Sequence, residues 1–558
     1  MSVTLDSSSS TTTPLAYSID YRRLSWTARL VRDYCHEYGR LDPFFVGSPS
    51  DPAVWAKSIQ TRQSQPAAHS EIAAVVAAQL KSRGAPSAAV VSAERLADPK
   101  TVAIVAGQQA GLFGGPLFTL LKALTAVRLA RRVSADHNVT AVPIFWVHGE
   151  DHDLDEISSC GVLSSNLELH TVTVPHESAS GQPASELRLS DTITDVLRDL
   201  RELLPDTEFT GPLFEQLAAI YRPGTGMVEA FSRWLDTLFG AHGLIAFDGS
   251  DANAKSMVRA LLDRELDHPG ETSRLATAAG KNLTALGYHA QVTSGSDAVA
   301  LFYLRNGREA IRLHRAEQSV GPAFDIGTDV VPGDQLRTWL SERPEAFSPN
   351  VLLRPVFQDA IFPTVATVAG PSELAYLAQL SDVYRHFGVP MPIIYPRASA
   401  TLVDQATMKF LNRYDVEFGM LQPQDDAVLN RLLATLLPDA VERTIGDTER
   451  AIEEHLAAVA AEVSAVDPTL TGVVETTKSR MDRDLKSLRN KIVQAAKRRD
   501  ETLRRQYQRA RSQAFPNGNP QERAVAIIYF LNRYGPHLVD RLLDDLSLEV
   551  GQHRLLTV

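Results

Sequence analysis

The chain has 558 residues, 44% of them hydrophobic and 22% charged, with a formal net charge of −11. This is ordinary globular composition, enough for roughly three or four structural units, and it excludes a collagenous, disulfide-scaffold or wholly disordered protein. Two cysteines, Cys35 and Cys160, cannot build a disulfide framework, and with no leader peptide pattern and no run of roughly 18 apolar residues, a reduced cytoplasmic protein without a membrane segment is expected.

In chain order, Ser7 to Ser10 and Thr11 to Thr13 read as a disordered lead-in, and residues 1–100 as an N-terminal helical segment leading into the core. Thr101 to Ala106 is a β-branched run that ends in a glycine-rich turn, followed by a helical stretch from Leu117 to Val133 and a second strand from Val139 to Val147. Strand, glycine turn, helix, strand is the βαβ pattern of an α/β fold, a doubly wound parallel sheet. Residues 101–179 then form the first half of the core, 180–242 a helical insertion, 243–249 a further core strand and 250–348 a second insertion. Residues 349–424 supply the second half of the core. Further strands are expected at Ala298 to Leu304 and at Met391 to Tyr395.

Residues 425–515 change character. Ile445, Ile452, Leu456, Val459, Val463 and Val466 follow heptad-like spacing, Asp467-Pro468 stops one helix and starts another, and Leu470, Val474, Met481, Leu485, Leu488 and Ile492 resume the seam. Two long helices joined at a tight tip make an antiparallel coiled-coil hairpin. Its apolar residues exceed what one pairing hides, so a homodimer is expected. Pro516-Asn517-Gly518-Asn519-Pro520 ends the hairpin, and residues 516–558 form a tail that returns to the core. From Lys478 to Arg511 there are thirteen Lys/Arg and four Asp/Glu, a local charge of +9 that leaves −20 elsewhere. An anionic partner or a solvated helix face both account for it, and with Tyr507 as the one aromatic no nucleic-acid stacking platform is present.

Three segments carry residue types suited to chemistry. Gly107 to Pro116, with Gly111, Gly114 and Gly115, leaves a strand and enters a helix, where converging amides suit an anion, although the spacing matches no named phosphate loop. Close helix packing is the competing reading; Gln108 and Gln109 add donors such packing does not need. Lys122, in the following helix, is within reach of a phosphate bound there, but solvent exposure is the expected position. Trp146 to Glu156 holds His148, His152 and five carboxylates, without zinc-protease spacing. A solvated helix start explains Asp155 and Glu156 easily and His152 and Asp153 less well, and the latter two suit general acid-base work. No metal ligand set is assigned. In the third segment, Arg354 before Pro355 is expected to be held extended for carboxylate recognition. Gly370 to Glu373 marks a second glycine turn, where capping is the stronger account of Glu373 alone. Arg397 reads as an anion ligand or a surface ion pair.

Together GQQAGLFGGPLFTLLKA, FWVHGEDHDLDEI, SPNVLLRPVFQDAIFPTVATVAGPSELAYLAQL, YPRAS, FPNGNPQER and NRYGPHLVDRL resemble the BshC family, cysteine-adding enzymes of bacillithiol biosynthesis. The resemblance spans about residue 101 to the C-terminus. It implies a Rossmann-like core with two connecting insertions, a coiled coil that mediates a homodimer, and a ligase that joins L-cysteine to the amine of glucosaminyl malate. On the chemistry of the matching motifs, Glu150, His152 and Asp153 are assigned as catalytic. Gln108, Gln109, Arg354, Gln358, Asp359, Glu373, Tyr376 and Arg397 are assigned to substrate, and Gly107, Gly111, Gly114, Gly115 and Gly370 to an anion or nucleotide. No ATP motif is recognisable, so ATP or another nucleotide stands as a possible cosubstrate by fold analogy alone. A nucleotide-dependent transferase with another acceptor and a non-enzymatic dimeric adaptor remain as alternatives.

Overall fold

A computed structural model describes residues 16–65, 69–176, 181–305, 307–314, 322–434 and 439–558; the Ser/Thr lead-in lies outside them. The chain divides into two compact units, one made of Pro14–Thr401 with Pro520–Leu556 and the other built on Leu402–Asn519.

At the centre of the first unit is a five-stranded parallel sheet of β1 (Val102–Gln108), β2 (Ala141–Val147), β3 (Ile245–Asp248), β4 (Thr364–Ala369) and β5 (Ile393–Pro396), in the order β5-β4-β1-β2-β3. β1 is buried from Val102 to Gly107, as a strand covered on both faces must be. Chain order reverses across β1 and β4, the switch point at which such sheets open a crevice beyond the carboxyl ends of their strands. The long helix α1 (Leu117–His137) connects β1 to β2 and ends on Asn138 in the left-handed region, a common helix stop. Two short helices, α2 (Arg354–Ile361) and α3 (Pro371–Leu377), flank β4.

The segment before β3 is helical, with helices at Thr192–Leu203, Thr210–Ile220 and Met227–Phe239. The segment after β3 differs from a simple helical connection. Strand Ala298–Leu304 is where its composition placed it, but it belongs to a separate five-stranded antiparallel sheet that closes with Phe347–Pro349. Its neighbour Arg308–Leu313 follows too soon for the long crossover a parallel pairing needs. In the tail, strand Gln552–Thr557 pairs antiparallel with Ala16–Asp20.

The second unit contains α4 (Asp439–Val463) and α5 (Thr471–Ala514). Asp467 caps the turn between them by accepting from the Thr469 N–H at 2.9 Å, and Pro468 sits where its missing N–H costs nothing. Lys478 reaches Glu453 across the pair at 2.8 Å. Near the base, Leu503 and Tyr507 are buried, and Asp404 accepts from Thr407 N at 2.8 Å and Gln513 Nε2 at 2.7 Å. Towards the tip the seam is open: Val459, Met481 and Leu488 are 45%, 42% and 50% exposed. Among the described residues no helix is long and apolar enough to cross a membrane.

Candidate active site

A cavity of about 350 Å³ lies at the carboxyl ends of the parallel strands, and all five contribute to its wall. Gln108 ends β1, His148 to Asp151 follow β2, Gly249 follows β3, Gly370 to Glu373 follow β4, and Arg397 follows β5. Arg308, Pro349 to Val351 and Arg354 come from the second insertion and its exit, and Arg523 from the tail.

Three ion pairs, each with a buried cation, frame the cavity. Lys122 is 2% exposed, contrary to its expected surface position, because α1 runs back beneath the strand ends. Its Nζ donates to the Gly107 carbonyl at 2.7 Å and to Gln108 Oε1 at 2.8 Å, and pairs with Glu373 at 2.5 Å. Burial pulls the Lys122 ammonium below the usual lysine range, while Glu373 opposes the shift. Glu373 also accepts from the Gly370 N–H at 2.7 Å, so the capping role holds and a charge role is added to it. Glu150 pairs with buried Lys255 and accepts from Ser348 Oγ at 3.0 Å; Lys255 further donates to the Phe347 carbonyl at 2.6 Å. Arg397 is buried against Glu522, with contacts of 3.0 and 2.7 Å, rather than forming a surface pair.

Two guanidinium groups differ from these. Arg308 donates to the Pro349 carbonyl at 2.7 Å and lies 4.1 Å from the Phe302 ring centroid. Arg354 donates to the Tyr376 hydroxyl at 2.8 Å, and burial pushes that phenol up to about 12. Neither forms an ion pair with a carboxylate among the described residues, although the charges of Glu150 and Asp151 reach Arg308. Arg354 was expected in an extended segment, yet it opens α2. Asn350 organises the turn before it, its carbonyl accepting from Arg354 N at 2.9 Å and its Oδ1 from Leu352 N at 2.9 Å. Pro355 is tolerated in the first helical turn because its N–H would be unpartnered there.

His148 also lines the cavity, and its Nε2 finds no hydrogen-bond partner among the described residues. A Cβ on Gly107 would come within 2.8 Å of that nitrogen, so glycine there makes room for the ring. Burial first, then the positive Arg354, Lys122 and Arg308, hold His148 well below the usual histidine range, which keeps it neutral. Beside it, the Gln108 carbonyl accepts from His148 N at 3.0 Å, Gln108 Nε2 donates to Gln109 Oε1 at 2.5 Å, and Gln109 Nε2 donates to Glu156 at 3.0 Å. Burial, with Asp153 and Asp151 nearby, raises the Glu156 carboxyl above its ordinary value. Glu156 is thus part of the wall, beyond the helix-start role its position suggested.

Other assigned residues lie elsewhere. His152 and Asp153 are exposed and outside the cavity wall, although His152 Nδ1 is 3.3 Å from Arg308 Nη1. Asp153 caps the short helix Leu154–Ile157 by accepting from Glu156 N at 3.2 Å. Gln358 and Asp359 face a separate buried network, in which Asp359 accepts from Gln358 at 3.0 Å and from the Tyr384 hydroxyl at 2.5 Å. Gly111, Gly114 and Gly115 do not reach the cavity either. Gly114, at φ +95, packs where a Cβ would meet Trp234 at 2.9 Å, and the Leu117 N–H at the start of α1 is taken by the Val525 carbonyl at 2.8 Å. That turn is occupied by packing. The residues missed in the sequence are His148, Lys255, Arg308, Glu522 and Arg523. Among the described residues no group of three or more His, Cys, Asp or Glu side chains converges as a metal site.

The fold and site define a Rossmann-like α/β protein with a charged small-molecule pocket at its strand ends and an appended helical hairpin. Residues 17–398 match the family described as "Bacillithiol biosynthesis BshC, N-terminal Rossmann-like domain", and residues 400–558 match its C-terminal coiled-coil domain. A Salinibacter ruber protein named "Putative cysteine ligase BshC" is 34% identical over 95% of this chain and 96% of its own length. Koribacter versatilis and Geobacillus thermodenitrificans proteins of the same name are 33% and 29% identical, each over 95% of this chain and 98% of their own. The chain belongs to the BshC family.

Proposed function

We propose that the chain is a cytoplasmic cysteine ligase that joins the carboxylate of L-cysteine to the amine of glucosaminyl malate, the last step of bacillithiol biosynthesis. The observation that carries this reading is the division of charge in the pocket. Lys122, Lys255 and Arg397 are neutralised by Glu373, Glu150 and Glu522, whereas Arg308 and Arg354 have no carboxylate partner there. Unpaired guanidinium groups in a recess are costly unless a ligand brings anionic oxygens, and their planar forks suit carboxylates. The malyl group carries two carboxylates and cysteine a third. Asp151 and Glu156, which also line the cavity, suit the substrate amine.

Within this reading Glu150, His152 and Asp153 remain the proposed acid-base group, with Glu150 at the wall and His152 beside Arg308. His148 joins them as a neutral ring able to hydrogen-bond a substrate. Amide formation requires an activated carboxyl group, and ATP or another nucleotide is the proposed activator. The open seam at Val459, Met481 and Leu488 supports a homodimer through the hairpin. Metabolite profiling of a deletion strain tests the pathway: glucosaminyl malate should accumulate and bacillithiol disappear. Unchanged bacillithiol would overturn the assignment and favour a transferase acting on another acceptor.

A further inference from the structure

The chain leaves the first unit after Thr401, makes the hairpin, and returns at Pro520. Two residues past that return, Glu522 is buried, and its carboxylate ties together the point of departure. It accepts from both terminal nitrogens of Arg397, from Ser399 Oγ at 2.9 Å and from Ala400 N at 3.1 Å. The next residues are knitted just as closely. The Val525 carbonyl accepts from Leu117 N at 2.8 Å, and Ala526 N donates to the Gly161 carbonyl at 2.7 Å. Gly161 lies so near this segment that a Cβ there would come within 2.1 Å of the Ala524 carbonyl.

Such fixing is more than a tail needs merely to end the chain, and it has a consequence at the pocket. Arg397, held by Glu522, and Arg523, the next residue along, both line the cavity. Arg523 is exposed at the pocket mouth, beside Glu156, which feels its positive charge, and has no carboxylate within 4 Å among the described residues. With Arg308 and Arg354 it makes three guanidinium groups in the wall without a carboxylate partner. The two proposed substrates bring three carboxylates between them. We propose that the return segment is part of the substrate site, with Arg523 binding a substrate carboxylate and Glu522 a positioning residue that sets Arg397 in the wall.

The identity of the carboxylates rests on the proposed function, so the test keeps the two ideas apart. Calorimetric titration of the full chain with glucosaminyl malate, and separately with L-cysteine, is compared with Arg523→Gln. Loss of one charge-assisted contact should weaken one of the two ligands by at least about tenfold and leave the other within about twofold. Because Arg523 is exposed, the melting temperature should not move. Glu522→Gln should raise KM for the same step more than it lowers kcat, with Glu522→Asp partly restoring it, a split that general loss of folding does not produce. Arg523→Gln binding both ligands within twofold of the unaltered chain overturns the inference alone. No binding of either ligand by the unaltered chain overturns the proposed function and the inference with it.

Discussion

The pocket wall and the hairpin bury their side chains by opposite rules. In the wall, buried cations are matched to carboxylates, as with Lys122 and Glu373 or Lys255 and Glu150, while Arg308, Arg354 and Arg523 form no ion pair among the described residues. In the hairpin, apolar groups at regular spacing are left in water, Leu488 being 50% exposed and Met481 42%. The difference teaches where substitutions act. A change in the wall alters the folded chain and its ligands, whereas a change at the hairpin tip alters whatever the tip meets.

The largest effect should come from breaking a matched pair in the wall. Lys122→Met leaves the partly covered Glu373 without its cation and the Gly107 carbonyl without its donor, and should cost about 2–4 kcal/mol in urea unfolding. A loss below about 1 kcal/mol would show that the pair is solvated and that the wall is no different from a surface.

Next come two buried groups whose pH slopes oppose each other. Burial raises the Glu265 carboxyl to about 7 from an ordinary 4.5, so the folded chain holds a proton that the unfolded chain releases, and stability falls as pH rises between those values. Burial lowers His553 to about 4 from 6.5, so the unfolded chain takes up a proton that the folded chain refuses, and stability falls as pH drops through that window. Relative to the unaltered chain, Glu265→Gln should gain up to about 3 kcal/mol between pH 4.5 and 8, and His553→Gln should gain a similar amount between pH 7 and 4. Parallel stability-versus-pH curves for the variants and the unaltered chain would contradict both shifts.

Smaller again, Arg354→Ala should weaken glucosaminyl malate by about ten- to a hundredfold in titration, with the melting temperature nearly unchanged. Equal affinity would move carboxylate recognition away from this wall. The smallest effect on the single chain belongs to the tip. Met481→Ser with Leu488→Ser should change unfolding by less than about 0.5 kcal/mol, since both are already exposed. In sedimentation, the same pair should weaken self-association if the seam meets a second copy. An unchanged dimer would leave the tip without that partner.

Much of this organisation is legible in the sequence because it is local. The apolar run 102–106 and the Asp467-Pro468 break report their own surroundings, a covered strand and a helix stop. Errors arise where a local rule meets a distant partner. Pro355 argued for an extended Arg354, but Asn350 builds a turn that lets the helix start there. Lys122 resembles any helical lysine until α1 is seen to pass beneath Gly107. Lys255 and Glu522 carry no local sign of function, because the groups that define them, Glu150 and Arg397, are more than a hundred residues away. The glycines after β1 signalled a tight turn correctly, but a tight turn can serve packing as well as ligand, and Trp234 decides the matter for Gly114.

The central claim, that the unmatched guanidinium groups at the strand ends hold the substrates of an amide-forming reaction, is tested most directly with purified protein. L-cysteine and glucosaminyl malate are incubated with the chain, with and without ATP, and the amide is followed by mass spectrometry for the unaltered protein and for Arg308→Ala and Arg354→Ala. The account predicts bacillithiol from the unaltered chain and at least about a hundredfold less from each variant at low substrate, with folding intact. Product formed at equal rates by all three proteins would contradict it.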